Sequence, residues 1–260
     1  MFEPRDLSSP VATVRDRHAP GLRVFDCERD FETLAPARAE ELGLVVDALE
    51  PASYPTAWLP ADVPTLLDRY AGTTLTIGMP GDGSVVWTRQ TEPPVVLVKP
   101  RVEGSPEAFV DFLIAEAIVE LGLEVPEHFL GFFEATYPDL DRAVSLGPND
   151  TYQVAAALFD AWVGLQTRDV FAAWHDDLPA LADAWQDAGG RLEDRVSELP
   201  GAVARGETEF ADATELACAA IKHGLGLPAP FAALDTDAYL DHGPEYAITW
   251  AEKTFESLSE

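Results

Sequence analysis

The chain of 260 residues carries 46 Asp and Glu against 17 Lys and Arg, a formal net charge of −29 at pH 7. Only three of the cations are lysines: Lys99, Lys222 and Lys253. Nucleic acids and anionic lipid surfaces are bound by clustered Lys and Arg, and the sequence has no such cluster, so we expect neither a nucleic-acid partner nor a membrane partner.

The acids are spread along the whole chain, which indicates a folded protein with a carboxylate-rich surface. They occur from Glu3 to Glu260, and 47% of the residues are hydrophobic, whereas a disordered acidic tail has blocks of like charge and few apolar residues. In molar salt the Debye length is only about 3 Å, so exposed carboxylates hardly repel one another there. The pattern resembles that of haloarchaeal cytoplasmic proteins. We therefore expect a cytoplasmic, salt-adapted protein with hydrated monovalent cations at its surface.

Two features of the sequence agree with that location. The segment from Met1 to Arg17 has no apolar run and so does not read as a signal peptide. The most apolar stretch, Phe109 to Leu123, contains three acids and is too short to span a bilayer.

In chain order, the first half of the sequence predicts a small sheet and a few helices. The first thirty residues, rich in proline, indicate an irregular arm or a short strand, and apolar spacing predicts helices over 36–50 and 63–70. Two β-branched runs flank Asp82-Gly83, a dipeptide that favours a tight turn, and predict a hairpin over about 73–88. The apolar run 94–99 predicts a further strand of the same small antiparallel sheet. Ser105, Pro106 and Glu107 are typical of a helix start and predict a central helix over 106–121, on which this sheet packs.

The second half of the sequence predicts helices alone. Apolar periodicity and Gly or Pro punctuation place them over 126–136, 149–174, 179–188, 191–199, 208–223 and 244–258. The fold class is therefore α+β and predominantly helical. We expect one domain over 1–260, within which an α+β lobe over 1–125 and a helical lobe over 126–260 are sub-lobes.

The central helix carries the first candidate site, formed by Glu116 and Glu120. One turn apart on a helix that is apolar nearly all round, the two carboxylates would have separated pKa values, which suits general acid/base chemistry or a metal. The alternative interpretation is that the helix passes from one surface patch to another, so that its polar residues lie on different sides at its two ends. The two acids are the candidate catalytic residues.

The order of elements around that helix is similar to the layout of the zincin metallopeptidases. In that family a hairpin and an edge strand precede a helix with an H-E-x-x-H motif, whose histidines bind zinc. Residues 73–125 follow the same order, and Glu116 takes the position of the motif glutamate. Ala115 and Val119 stand where the histidines belong, so the resemblance implies a relic without catalysis, and we expect no zinc and no other cofactor.

Lys99 and Arg101 form the second candidate site. They flank Pro100 between the end of a strand and the start of a helix, where free backbone N–H groups would help to hold an anion. The alternative is that both cations pair with nearby acids, which are plentiful in this chain.

Taken as a whole, the chain resembles an uncharacterised haloarchaeal protein family, a domain of unknown function. The resemblance includes the segments Phe-Leu-Ile-Ala-Glu-Ala-Ile-Val-Glu (112–120) and Pro-Glu-His-Phe-Leu-Gly-Phe-Phe-Glu (126–134), and it implies no activity. Because no complete catalytic constellation can be assembled, the leading hypothesis is a non-catalytic protein that binds a partner or a small ligand, with a protein partner and a second copy of the chain both left open. The alternative is an acid/base or metal-assisted hydrolase centred on Glu116 and Glu120.

Overall fold

The computed structural model describes residues 1–72, 74–123 and 125–259. The chain divides into two compact units. The first unit contains residues 1–54, 69–127 and 174–184, and the second contains residues 55–68, 128–173 and 185–260. The fold class is confirmed as α+β and predominantly helical. The expectation of one domain with sub-lobes over 1–125 and 126–260 stays a prediction.

The first unit is built on a mixed four-stranded sheet in the order β1-β2-β6-β4. Its strands are β1 (Phe2–Pro4), β2 (Arg23–Cys27), β4 (Val85–Thr88) and β6 (Val95–Val98). The pair β2 and β6 is parallel and the other pairs are antiparallel, so the expectation of a purely antiparallel sheet is wrong. A second sheet joins β3 (Ala48–Leu49) to β5 (Thr91–Glu92). All four residues of β6 are at most 1% exposed, because neighbouring strands and a helix cover this central strand.

Helix α4 (Glu107–Gly122) packs on β4 and β6, which confirms both the predicted helix and its contact with the sheet. Helix α1 (Ser9–His18) packs against it at a close approach of two backbones. A Cβ on Gly122 would lie 2.5 Å from the carbonyl oxygen of His18, so only glycine fits there. The segment predicted as an irregular arm or short strand therefore contains a helix and two strands.

The predicted hairpin over 73–88 is wrong in its first half. Thr73 lies outside the described residues, and residues 74–79 form no strand. The reason is that other groups use the polar atoms of this segment: the amide of Leu34 donates to Ile77 O, and Gln90 Nε2 donates to Thr76 O. The turn forms two residues earlier than predicted, around Pro80-Gly81, where the amide of Asp82 donates to Met79 O, and the chain then enters β4, which pairs with β6.

The helix predicted over 36–50 ends much earlier. Helix α2 (Pro36–Leu42) stops before Gly43, and two turn hydrogen bonds, from Leu44 N and Val45 N, follow it. Ala48 and Leu49, which also lie within the predicted helix, instead form β3 and pair with β5. The predicted helix over 63–70 is present as α3 (Thr65–Ala71).

The second unit is helical and is held together by aromatic side chains. Its helices are α5 (Phe129–Phe133), α6 (Tyr137–Val144), α9 (Phe210–Ile221) and α10 (Asp237–Ser259), together with most of α7 (Pro148–Asp177) and α8 (Pro179–Ala204). Ring centroids 4.8 to 6.4 Å apart connect residues of α5, α6 and α7. The hydroxyl of Tyr239 on α10 donates to Leu158 O at 2.6 Å.

Three predicted boundaries in this half of the chain are corrected. The helix expected over 126–136 is shorter, and Pro138 lies in the first turn of α6 instead of ending a helix, since proline suits the first helical turn. Helix α8 runs through Gly189-Gly190, where two helices were expected; a Cβ on Gly189 would lie 3.0 Å from that of His223, so the glycine serves close packing. Helix α10 begins at Asp237 and kinks at Gly243 (φ 46°), before Pro244.

Candidate functional site

The structure places Glu116 and Glu120 on the side of α4 that faces the interior and the sheet. Glu116 is only 7% exposed, and the half-buried Glu120 accepts a hydrogen bond from Trp87 Nε1 on β4 at 2.8 Å. The described residues contain no group of three or more His, Cys, Asp or Glu side chains arranged to hold a metal ion. The burial expected for these acids is present, and their catalytic role stays a prediction.

Lys99 and Arg101 have separate surroundings. Arg101 lies in a 3₁₀ turn, where its Nε is 2.9 Å from Asp30 Oδ1 and its Nη2 is 3.0 Å from Glu32 Oε1. Lys99 has no exposed surface, and its Nζ lies 4.8 Å from the centre of the Phe31 ring. The pair expected as one anion site is thus divided between a surface ion-pair cluster and a buried position. The anion site itself stays a prediction.

Near Lys99 the first unit contains a partly buried acid, Asp82, that no sequence pattern marked as a candidate. The pKa of Lys99 is lowered by burial, and the negative charge of Asp82 opposes that shift. Burial raises the pKa of Asp82 to about 6, although its carboxylate accepts from Met79 N at 2.7 Å and is attracted by Lys99. A charged side chain directly after an unbroken apolar strand, as Lys99 is, was the one sequence signal for this cluster.

Glu127 anchors the loop after α4 to the end of β4. Its carboxylate accepts from Thr88 Oγ1 at 2.6 Å, from Arg89 N at 2.9 Å and from Gln90 Nε2 at 2.8 Å. Burial raises the pKa of Glu127 and these hydrogen bonds oppose the shift. Because its carboxylate oxygens accept these three hydrogen bonds, Glu127 holds the end of β4 in place.

A pocket of about 530 Å³ opens elsewhere in the first unit, beside the start of β2. Three arginines line it: Arg5 after β1, Arg15 on α1 and Arg23 at the first position of β2. The remaining lining is apolar and consists of Pro4, Leu7, Leu22, Val24, Phe25 and Val45. Pockets of this volume are typical of small-molecule sites, in which a few polar groups orient a ligand against apolar walls.

Each arginine of the pocket has one acid near it, at hydrogen-bond distance for Arg5 and Arg15 and farther away for Arg23. Arg5 Nη1 lies 2.6 Å from Asp26 Oδ1, Arg15 Nη2 lies 2.8 Å from Asp16 Oδ1, and Arg23 Nη2 lies 3.9 Å from Asp47 Oδ1.

These contacts do not use all the N–H donors of the three guanidinium groups. A guanidinium carries five N–H donors in a planar fork, which matches carboxylate and phosphate oxygens. The acids are not among the lining residues, so they orient the forks while further N–H groups remain for an anion. The three side chains are between 25% and 46% exposed, which makes them accessible to a solute.

No pattern along the sequence reveals this pocket. Its lining comes from four separate stretches: residues 4–7, Arg15, residues 22–25 and Val45. No spacing along the chain marks them as neighbours. The one available signal was that arginines recur through the first 23 residues of a chain that is poor in cations.

No helix of the described chain combines the length and the apolar character that a membrane span requires. Neither the curated proteins nor the solved structures gave a match to this chain. Residues 1–258 match a family of unknown function (DUF7089). Since the match covers almost the full length, the chain belongs to this family of unknown function.

Proposed function

We propose that this is a non-catalytic binding protein of a salt-rich haloarchaeal cytoplasm, and that the arginine-lined pocket of the first unit holds a small anion. The observation that carries the proposal is the convergence of Arg5, Arg15 and Arg23 on one cavity of about 530 Å³. In a chain with a net charge of −29, this one cavity brings together three of the 17 Lys and Arg residues. Charge-assisted hydrogen bonds from arginine are among the strong polar contacts available to a ligand.

The salt-rich cytoplasm is supported by the composition. A net charge far from zero works against the compact state in dilute buffer, and screening in molar salt removes most of that repulsion. Acidic side chains together with only three lysines fit such a solvent.

The alternative, an acid/base or metal-assisted hydrolase at Glu116 and Glu120, has less support. The carboxylate of Glu120 is engaged by the indole of Trp87. The similarity of layout to the zincins adds no support for hydrolysis, because Ala115 and Val119 cannot ligate zinc.

The proposal is tested by titrating the protein in multimolar KCl with anilinonaphthalene sulfonate and with the neutral N-phenylnaphthylamine, which has the same aromatic body. We expect the sulfonate to bind more tightly than the neutral probe. Arg15→Gln and Arg23→Gln should each weaken sulfonate binding roughly tenfold, the value of one lost charge-assisted hydrogen bond, and leave binding of the neutral probe unchanged.

Arg205→Gln is the matched control, because Arg205 is an exposed arginine of the second unit that bonds Glu207. Its affinity for both probes should equal that of the parent chain. Equal affinity for the charged and neutral probes in the parent chain, or equal loss in all three variants, would refute the anion site.

A further inference from the structure

Resting on the anion site proposed above, we infer the ligand class: a hydrocarbon with one terminal anionic group, either a carboxylate or a phosphate monoester. Polar anions, such as sugar phosphates, nucleotides and zwitterionic amino acids, should bind more weakly for the same reasons. The inference follows from which hydrogen-bonding groups the pocket offers and which it lacks.

The side chains of the pocket supply donors and no acceptors. Among the described residues that line it, the polar side chains are those of Arg5, Arg15 and Arg23, and a guanidinium only donates. A hydroxyl, an amine or a base N–H of a ligand would find no side-chain acceptor there. A buried donor without a partner costs a ligand much of its affinity.

Part of the backbone around the pocket is already engaged as an acceptor. The carbonyl of Val24 accepts from Arg5 N at 2.9 Å, that of Val45 accepts from Arg23 Nη1 at 2.7 Å, and that of Arg15 accepts from Ala19 N at 2.9 Å. Three carbonyls of lining residues are therefore already used within the protein. A ligand with several hydroxyl or amine groups would have to disturb these bonds.

The walls provide the complementary attraction for a hydrocarbon. The apolar surface that a hydrocarbon could cover comes from Pro4, Leu7 and Val45, which are exposed or partly exposed, because the neighbouring apolar side chains of residues 22–25 already lie in the core. Covering such apolar surface with a hydrocarbon removes it from water, and this gain grows with the area covered. An inorganic ion would leave most of a cavity of about 530 Å³ without contact.

The experiment compares four ligands by calorimetry on the parent chain in multimolar KCl: octanoate, octyl phosphate, octanol and glycerol phosphate. We expect octanoate or octyl phosphate to bind at least tenfold more tightly than both octanol, which lacks the charge, and glycerol phosphate, which lacks the hydrocarbon. The difference in affinity between octanoate and octyl phosphate identifies the preferred head group as carboxylate or phosphate. Leu7→Ser, checked for a native circular-dichroism spectrum, should weaken the binding of the alkyl anions and leave the binding of glycerol phosphate unchanged.

The outcomes separate this inference from the function on which it rests. If glycerol phosphate binds as tightly as octyl phosphate and Arg15→Gln weakens both, the anion site stands and the hydrocarbon ligand is refuted. If octanol binds as tightly as octanoate, or if no anion binds in a way that depends on Arg15, both proposals fail. Because the comparison of ligands uses the parent chain, it does not depend on the folding of any variant.

Discussion

Replacing Asp82 with asparagine removes a partly buried titrating carboxyl while keeping its hydrogen bond. The Oδ2 atom of Asp82 accepts from Met79 N at 2.7 Å within the turn before β4, and an asparagine oxygen can accept the same bond. Burial is the largest cause that raises the pKa of Asp82 from 3.8 to about 6, and the charges of Glu32 and Glu127 add to it. The hydrogen bond from Met79 N and the charge of Lys99 act in the opposite direction without cancelling the shift.

The sign of the effect on stability follows from proton linkage. The folded chain holds this proton more tightly than the unfolded chain, so the contribution of Asp82 to the free energy of unfolding is fully present below pH 3.8. It is lost as the pH rises through about 6. The difference between the two pKa values corresponds to roughly 3 kcal/mol at neutral pH. Asparagine resembles the protonated form at every pH, so Asp82→Asn should be more stable than the parent chain by up to roughly that amount at pH 7 and equal to it near pH 3.8.

The assay is urea unfolding followed by circular dichroism in multimolar KCl at a series of pH values from about 3.5 to 8. The difference in unfolding free energy between Asp82→Asn and the parent chain should grow with pH and level off above about 7. Asp6→Asn, at an exposed position of the same unit, is the control and should give no such pH-dependent difference. Parallel curves for Asp82→Asn and the parent chain, at any offset, would show that Asp82 does not titrate as a buried group.

Two further predictions concern packing and solvent. Gly122→Ala should destabilise the first unit by about 1–3 kcal/mol, because its Cβ would lie 2.5 Å from the carbonyl oxygen of His18. Gly147→Ala is the control, because nothing lies within 4 Å of its Cβ, and it should change the free energy of unfolding in urea little. Equal effects of the two substitutions would contradict this account of the α1–α4 contact. Dialysis from multimolar KCl into dilute buffer should abolish the helical circular-dichroism signal, because the repulsion belonging to a net charge of −29 is then unscreened. An unchanged spectrum and an unchanged melting temperature would contradict the prediction of a salt-adapted protein.

Elements with strong local signals could be predicted from the sequence. The run at 94–99 contains β6, and the helix start at Ser105 to Glu107 gave α4 to within one residue at each end. Both also occupy central positions, so local propensity and burial agree. The burial of Glu116 could be inferred for the same reason, since the helix around it is apolar on nearly all sides.

Elements whose structure depends on distant partners could not be predicted. The β-branched residues of 74–79 favour a strand, yet the amide of Leu34 and the side chain of Gln90 bind this segment and no ladder forms. The sequence leaves a short strand open for the first thirty residues, but the central place of β2 could not be predicted because it depends on pairing with β1 and β6. In the same way, Gly189-Gly190 reads as a break until His223 is known to lie against the first of these glycines.

If the proposed anion site works in a salt-rich solvent, arginine and hydrocarbon together suit it better than charge alone. In molar salt the Coulomb attraction of a bare cation is screened within about 3 Å, so charge alone cannot select a dilute solute from abundant chloride. Directional contacts survive such screening, because they act at hydrogen-bond distance, and a guanidinium held by its own acid, as Arg5 is by Asp26, presents its remaining donors in a fixed plane. Apolar burial also persists in salt. A ligand that uses both contacts at once can be bound selectively in this solvent, whereas a small inorganic ion uses only one of them.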